Sequence, residues 1–377
     1  MTGQRFSDCD VGFMRRALSL ARRGLGRVEP NPMVGCVIVR GRRVLGEGYH
    51  RKFGGPHAEV HALRSAADSV KGATAYVTLE PCSHYGKTPP CADALIAAGI
   101  KRVVATMKDP GLHVAGRGMA RLRAAGVEVR TGCLGDEARR LNKAYLTLQE
   151  HGRPYLILKW AQSIDGRIAT ASGESRAISG RAAHRWVHRL RARLDGIVVG
   201  VGTVLADDPL LTARGVRIHR VATRVVLDSR LRIDARCKLV RTAEQYPTLV
   251  FTTRAGMEGR RLHAERLRRA GVDIECCRAR RGRVDISAVV RKLGARMMSN
   301  VMVEGGGAVL TEFLSRGFVD EAYVFVAPRF IGGDGATVAF GGPMKNELLV
   351  TSRRVGPDTL YHADFAAKGG YMFQRRP

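Results

Sequence analysis

Three residues suited to holding zinc stand in order in the first quarter of the chain: His57, Cys82 and Cys91. One imidazole and two thiolates give three ligands of a tetrahedral Zn²⁺ and leave the fourth position for water. A metal so held lowers the pKa of that water toward about 7. Glu59 follows His57 by two residues and can carry a proton from the water to a leaving amine without binding the metal. The implied chemistry is hydrolysis at a carbon that bears an amine. A lone His or Cys is usually a packing residue, but here the ligands, the carboxylate and Pro56, Pro81 and Pro90 fall in one ordered pattern. His61, one helical turn after His57, stays open between packing and support of the site. His84, between the two cysteines, is expected to face substrate.

The elements that must position these groups alternate. Helical spacing is read over Asp10–Arg23, Ala58–Ser69, Ala92–Ala98 and Gly116–Ala125. Short apolar strands are read at Val34–Val39, Ala73–Leu79, Arg102–Thr106 and Val127–Arg130. His57 then opens a helix behind a Gly-rich turn, Cys82 follows a strand, and Cys91 opens a helix whose N-terminus favours a thiolate. The polar segment Gln149–Pro154 predicts a boundary, with one domain over 1–148 and a second over 154–377. The second half has strands at Tyr155–Trp160, Gly196–Gly200, Arg224–Asp228, Thr248–Thr252 and Val301–Glu304, and a helix at Arg181–Leu194. Val303-Glu304-Gly305-Gly306-Gly307 reads as strand, glycine turn and helix, a place where backbone N–H groups can approach a phosphate. It is not the Gly-x-Gly-x-x-Gly fingerprint. No internal repeat is visible, and both halves are of the α/β class.

Composition narrows the function classes. The 377 residues are 45% hydrophobic and 26% charged, as in a globular chain of two or three domains. No apolar run is long enough to span a membrane, and the N-terminus lacks a signal-peptide pattern, so a cytoplasmic location is expected and membrane partners are not. Without a secretory signal the eight cysteines do not imply a disulfide framework. The net charge of +29 favours anionic partners, phosphorylated metabolites among them. It also raises a rival reading, a nucleic-acid deaminase or binding protein. Against that rival, no aromatic-rich basic stripe suited to base stacking is present.

The order His-x-Glu, Pro-Cys, Cys is that of the zinc deaminases. Eight residues separate Cys82 from Cys91, and the string Thr78-Leu79-Glu80-Pro81-Cys82-Ser83-His84-Tyr85-Gly86-Lys87-Thr88-Pro89-Pro90-Cys91 resembles the deaminase half of the bifunctional riboflavin-biosynthesis deaminase–reductases. Asn31-Pro32, Val34–Val39 and Gly46-Glu47-Gly48-Tyr49-His50 are similar as well. In the second half, Lys159–Arg167, Gly200–Arg214, Val226–Ser229 and Glu304–Gly307 resemble the reductase half of the same family. The resemblance implies a cytidine-deaminase-like three-layer α/β domain followed by a dihydrofolate-reductase-like α/β domain. It implies one Zn²⁺ per deaminase domain, NADPH for the reductase, phosphorylated pyrimidine substrates and a homo-oligomer.

Residue by residue, the resemblance places Asn31, His50, His84 and Lys87 at the deaminase substrate. It places Ser175, Arg191, Leu211, Arg214 and Glu304 at the reductase substrate, with Arg191 and Arg214 suited to its phosphate. Ala161, Ala177, Thr203, Asp207, Ser229 and the run Gly306, Gly307, Ala308, Val309, Leu310, Thr311 and Glu312 are placed at the nicotinamide cofactor. Lys159, Asp207 and Glu304 are alternatives for the proton supplied in reduction, and the sequence does not choose among them. Two departures bear on the reductase: Ala177 stands where many relatives carry Trp, and His184 where they often carry Arg. A reading with only the deaminase active follows if these weaken NADPH binding.

Overall fold

The structure, a computed structural model, describes residues 5–83, 85, 89–111, 115–170, 178–333, 337–338 and 349–365. The chain divides into two compact units between Gly152 and Arg153. Residues 149–151, which composition reads as linker, are instead the last turn of the helix Lys143–His151. The break comes at Gly152, whose φ of +63° ends that helix.

The first unit is built on β1 (Gly35–Arg40), β2 (Arg43–Tyr49), β3 (Thr74–Val77), β4 (Arg102–Ala105) and β5 (Glu128–Thr131). Their order is β2-β1-β3-β4-β5. β1 is antiparallel to β2 and β3, and β3, β4 and β5 run parallel. Strand alternation splits the core into two layers. Cys36, Ile38, Ala75, Val77 and Val103 pack with Ala58, Ala62, Leu95 and Leu122 of the helices Ala58–Ser65, Cys91–Ala97 and Arg117–Ala124. Val37, Val39, Tyr76 and Val104 pack on the other face with Met14 and Leu18 of Asp8–Ala21, Ala138 of Gly135–Leu141 and Leu146 of Lys143–His151. The result is a helix–sheet–helix sandwich. The helix read as Ala58–Ser69 stops at Ser65, where Ala66 turns extended. Gly46 and Gly48 decide how close that helix sits: a Cβ at either would lie 2.3–2.5 Å from the backbone of Ala62. These two glycines let the helix that carries Glu59 rest directly on β2.

Asp10 anchors the first helix. It completes a capping box with Ser7 and accepts hydrogen bonds from Tyr76 Oη (2.7 Å) and Arg102 Nη1 (3.0 Å). Burial opposes its ionisation, but these donors prevail and hold its pKa at about 2. A folded value below the unfolded one stabilises above the unfolded pKa and is lost as pH falls through the folded value. Asp10→Asn is therefore expected to destabilise the first unit by about 2 kcal/mol at pH 7. The deficit should shrink between about pH 4 and pH 2 when urea midpoints of both proteins are followed. A deficit independent of pH would assign the effect to packing instead.

The second unit contains β6 (Tyr155–Ser163), β7 (Arg167–Ala169), β8 (Gly196–Gly200), β9 (Thr223–Leu227), β10 (Thr248–Thr253), β11 (Val272–Cys277), β12 (Ala279–Arg280), β13 (Arg283–Val284), β14 (Asn300–Val303), β15 (Glu321–Ala327), β16 (Thr337–Val338), β17 (Leu349–Val355) and β18 (Asp358–Asp364). Nine form one sheet in the order β11-β10-β9-β8-β14-β6-β15-β18-β17. From β11 to β15 all neighbours are parallel, and β18 and β17 close the edge as an antiparallel hairpin. The helices Ile286–Ala295 and Gly307–Ser315 cover one face through Val289, Leu293, Leu310 and Phe313. The helix Arg181–Arg191 covers part of the other through Ala183 and Val187, against Phe325 and Leu360.

Candidate active sites

In the first unit the fold brings His57, Cys82 and Cys91 together, with their ligand atoms all within 4.8 Å of one another. His57 is the extended N-cap of Ala58–Ser65, Cys82 follows β3, and Cys91 is the first residue of Cys91–Ala97. His57 presents Nδ1, 3.5 Å from Cys82 Sγ and 3.3 Å from Cys91 Sγ. The Cys91 backbone N–H donates to Cys82 Sγ at 3.3 Å. Hydrogen bonding by Cys91 and His57 pulls the Cys82 thiol well below its usual pKa, and the same sharing pushes Cys91 up. One thiol thus ionises readily while the other holds its proton, which a metal would displace. One imidazole nitrogen and two sulfurs converging on one point fit zinc. Glu59 lies in the first helical turn, only 3% exposed. Burial pushes its carboxyl up to about 7.

Asn31 and His50 join this cluster. His50 Nδ1 faces the Pro56 carbonyl at 3.1 Å and must donate to it. Burial lowers the His50 pKa, so the ring is neutral and its Nε2 accepts from Asn31 Nδ2 at 3.3 Å. The His50 and His57 rings meet edge to face at 5.3 Å between centroids. His84 and Lys87 lie outside the described residues.

Glu80 was not singled out from the sequence. Its buried carboxylate accepts four backbone N–H bonds, from Asp109, Gly116, Gly118 and Met119, at 2.9–3.2 Å. It ties the Pro81-Cys82 turn to the start of Arg117–Ala124, where the helix end favours a carboxylate. The signal available was an acidic residue directly before Pro81-Cys82.

In the second unit the residues expected at the cofactor sit along the carboxyl ends of adjacent parallel strands. Ser229 follows β9, Thr203 and Asp207 follow β8, Gly306–Glu312 follow β14, and Ala161 is on β6. Ligands of open α/β sheets bind in the crevice outside these ends. Gly305 lets Gly307–Ser315 start there, since a Cβ on it would lie 2.7 Å from Val309 Cβ. That helix presents its free N–H groups at the strand ends, a setting that suits a phosphate-bearing cofactor. Ser229 Oγ accepts from Val284 N at 2.9 Å, and Glu312 pairs with Arg316. Ser175 and Ala177 lie outside the described residues.

The expected substrate side of this pocket is charged. Arg191 grips Glu304 with two parallel bonds, Nε–Oε1 at 2.8 Å and Nη2–Oε2 at 2.5 Å. Its Nη1 donates to Thr212 O, and Arg214 Nη1 donates to Thr212 Oγ1. Leu211, buried with φ +52°, bends the chain between Arg191 and Arg214. Burial opposes the Glu304 charge, yet Arg191 and then Lys159 hold its pKa at about 2. Lys159 on β6 is shifted down, chiefly by burial, and lies 6.0 Å from the Phe325 ring centroid. Arg191, which the resemblance suits to the phosphate, has two donors committed to Glu304. Burial, and then the positive charges of Lys159 and Arg191, lower the pKa of His184.

Two domain families match the chain. The cytidine and deoxycytidylate deaminase zinc-binding region matches residues 7–107, and the RibD C-terminal domain matches residues 154–361. The riboflavin biosynthesis protein RibD of Actinobacillus pleuropneumoniae is 44% identical over 93% of this chain and 94% of its own. The chain belongs to the RibD family. The Escherichia coli RibD is 44% identical over 94% of this chain and 98% of that one. The solved RibD of Acinetobacter baumannii superposes with a TM-score of 0.83 at 36% identity, covering 94% of this chain and 98% of the other. A Thermotoga maritima structure, a diaminohydroxyphosphoribosylaminopyrimidine deaminase/5-amino-6-(5-phosphoribosylamino)uracil reductase, gives 0.82 at 34% identity, with the same coverage. This RibD-family chain is a bifunctional enzyme of riboflavin biosynthesis. Its deaminase-like domain binds zinc, and its dihydrofolate-reductase-like domain uses NADPH.

Proposed function

We propose that the first unit hydrolyses the ring amino group of 2,5-diamino-6-(5-phosphoribosylamino)pyrimidin-4(3H)-one. The second unit then reduces 5-amino-6-(5-phosphoribosylamino)uracil to its ribitylamino product. The observation that carries this reading is a buried Glu59 in the helical turn that starts at His57, beside Cys82 and Cys91. Zinc held by His57, Cys82 and Cys91 supplies Lewis acidity that makes water nucleophilic near neutral pH. Glu59 takes the proton from the attacking water and delivers it to the departing ammonia. Asn31, held by His50, reads the pyrimidine edge, and His84 and Lys87 complete substrate binding.

In the second unit, NADPH bound at the carboxyl ends of the strands would supply hydride chemistry for C1′. Net, C1′ gains a hydride, its bond to the ring oxygen breaks, and that oxygen gains a proton. Glu304, held ionised by Arg191, is a poor donor. Lys159, whose proton is loosened by burial, is the better one. Arg214 and the remaining donor edge of Arg191 take the phosphate. Thr203, Asp207, Ser229 and the Gly306–Glu312 turn bind the cofactor. Ala177 and His184 tune the affinity without removing a reacting group. The partners are phosphorylated pyrimidines and a second copy of the chain, with no nucleic acid or membrane, and the location is cytoplasmic. Among the described residues no helix is long and apolar enough to cross a membrane.

The test follows ammonia release and NADPH oxidation together on zinc-loaded protein given the diaminopyrimidinone. Matching amounts, ammonia first, support the reading. Ammonia without NADPH oxidation would leave only the deaminase reading. Lys159→Ala is expected to slow reduction at least about tenfold and to leave ammonia release within about twofold. Parallel loss of both in a folded variant would refute separate sites.

A further inference from the structure

We propose that the second unit carries a separate site for a small anionic compound with a planar ring, such as a nucleoside monophosphate. The site is a cavity of about 580 Å³ between the helix Arg181–Arg191 and strands β15, β18 and β17. Its volume lies within the ordinary range of small-molecule pockets. Trp186, Arg189 and Arg193 line one wall, and Tyr323, Arg353 and His362 the other. None of these six is a residue of either active site proposed above, so the inference does not rest on that reading.

Charge argues for the anion. Three guanidiniums from two separate parts of the unit line one cavity, and no carboxylate lines it. The nearby Glu321 is 3% exposed and already accepts from Tyr323 Oη at 2.7 Å and pairs with His362 Nε2 at 2.5 Å. Among the described residues the guanidiniums of Arg189, Arg193 and Arg353 have no hydrogen-bond or ion-pair partner. Elsewhere in the same unit Arg153, Arg191 and Arg220 each have a carboxylate. Like charges gathered around one cavity repel, and a phosphate-type group between them relieves the repulsion and accepts their hydrogen bonds.

Ring contacts argue for the planar part. Trp186 meets Tyr323 edge to face at 4.7 Å, and Tyr323 stacks on His362 at 4.8 Å with planes 16° apart. These half-buried rings form an aromatic wall held in place by the Glu321 bonds. A flat heterocycle can lie against that wall while its anionic end reaches the arginines.

The chain has two tryptophans, Trp160 and Trp186, so Trp160→Phe leaves Trp186 as the single reporter. That zinc-loaded full-length protein is titrated with guanosine monophosphate, and in parallel with guanosine and with inorganic phosphate. Saturable quenching by the monophosphate is expected, at least about tenfold tighter than by either fragment. Arg193→Ala with Arg353→Ala should weaken it at least about tenfold while ammonia release and NADPH oxidation stay unchanged. Arg214→Ala should leave it in place. Calorimetric titration of the unaltered protein saturated with NADPH should give the same affinity, which keeps the test valid should Trp160→Phe fold poorly. No saturable binding below about 10 mM, or binding that survives loss of both arginines, would overturn the site. Displacement by NADPH would overturn its independence. Phosphate binding as tight as the monophosphate would overturn the planar-ring part.

Discussion

Replacing Glu59 with Gln is expected to slow ammonia release by about 10²–10⁴ while zinc stays bound, the scale of a lost general acid–base group. The amide has the shape of the carboxylate but cannot take a proton from water. The three ligand atoms are contributed by His57, Cys82 and Cys91, so the substitution leaves the metal set whole. The helix that carries residue 59 is fixed independently, through Ala58 and Ala62 in the core and through its close seat on Gly46 and Gly48. Stopped assays of ammonia, with zinc content measured on the same sample, check both halves of the expectation. Reduction of the deaminated compound, supplied directly, should proceed at the normal rate, since Glu59 belongs to the other unit. Near-normal deamination by a folded, zinc-loaded variant would remove Glu59 from the chemistry.

Much of the zinc cluster was legible because its parts are chemically rare and ordered. A His, two Cys and a carboxylate bracketed by prolines have few structural uses, so spacing alone brings them to one place. The parallel strands were legible for a different reason. Strands buried on both faces read as unbroken apolar runs, as in Gly196–Gly200, all buried. The β17–β18 hairpin gave no such signal, because β17 is mostly exposed and alternates nothing. Nor did β2, whose Gly46 and Gly48 look like turn residues but are the seat of a helix. Glu80 escaped notice because its partners are backbone N–H groups some 30–40 residues away, which carry no side-chain signature. Arg224 shows the limit of composition. In so basic a chain an arginine reads as surface, yet this one is 0% exposed on β9 and donates to Leu239 O, Tyr246 O, Thr242 Oγ1 and Thr248 Oγ1. The arginines near 254–283 are the ordinary case: Arg254 and Arg261 form exposed pairs with Glu258 and Glu265.

The Arg191–Glu304 pair carries the largest expected effect on stability. Both side chains are nearly buried, at 13% and 9% exposure, and their bonds are bidentate. Removing one partner of such a pair leaves an uncompensated buried charge, at a cost of about 3–5 kcal/mol. Glu304→Ala is worse than an isolated case, since the charges of Lys159 and Arg191 are then left without the carboxylate that offsets both. The loss should be confined to the second unit. Both tryptophans lie there, so their fluorescence reports its unfolding, while zinc retention reports the first. The pH dependence has a definite sign. Glu304 has a folded pKa of about 2 against an ordinary 4.5, so its contribution is full above about pH 4.5 and is lost as pH falls toward 2. The gap between normal protein and variant should close over that window, and a constant gap would assign the effect to lost packing. Replacing both partners with Met separates stability from chemistry. Two apolar side chains of similar length should restore most of the lost stability, because a buried pair seldom outperforms a well-packed apolar one. Hydride transfer should not recover, because the site would then lack one of the two guanidiniums proposed for the phosphate and the carboxylate whose charge acts on Lys159. Recovery of reduction together with stability would show that the pair holds the fold and takes no part in the reaction.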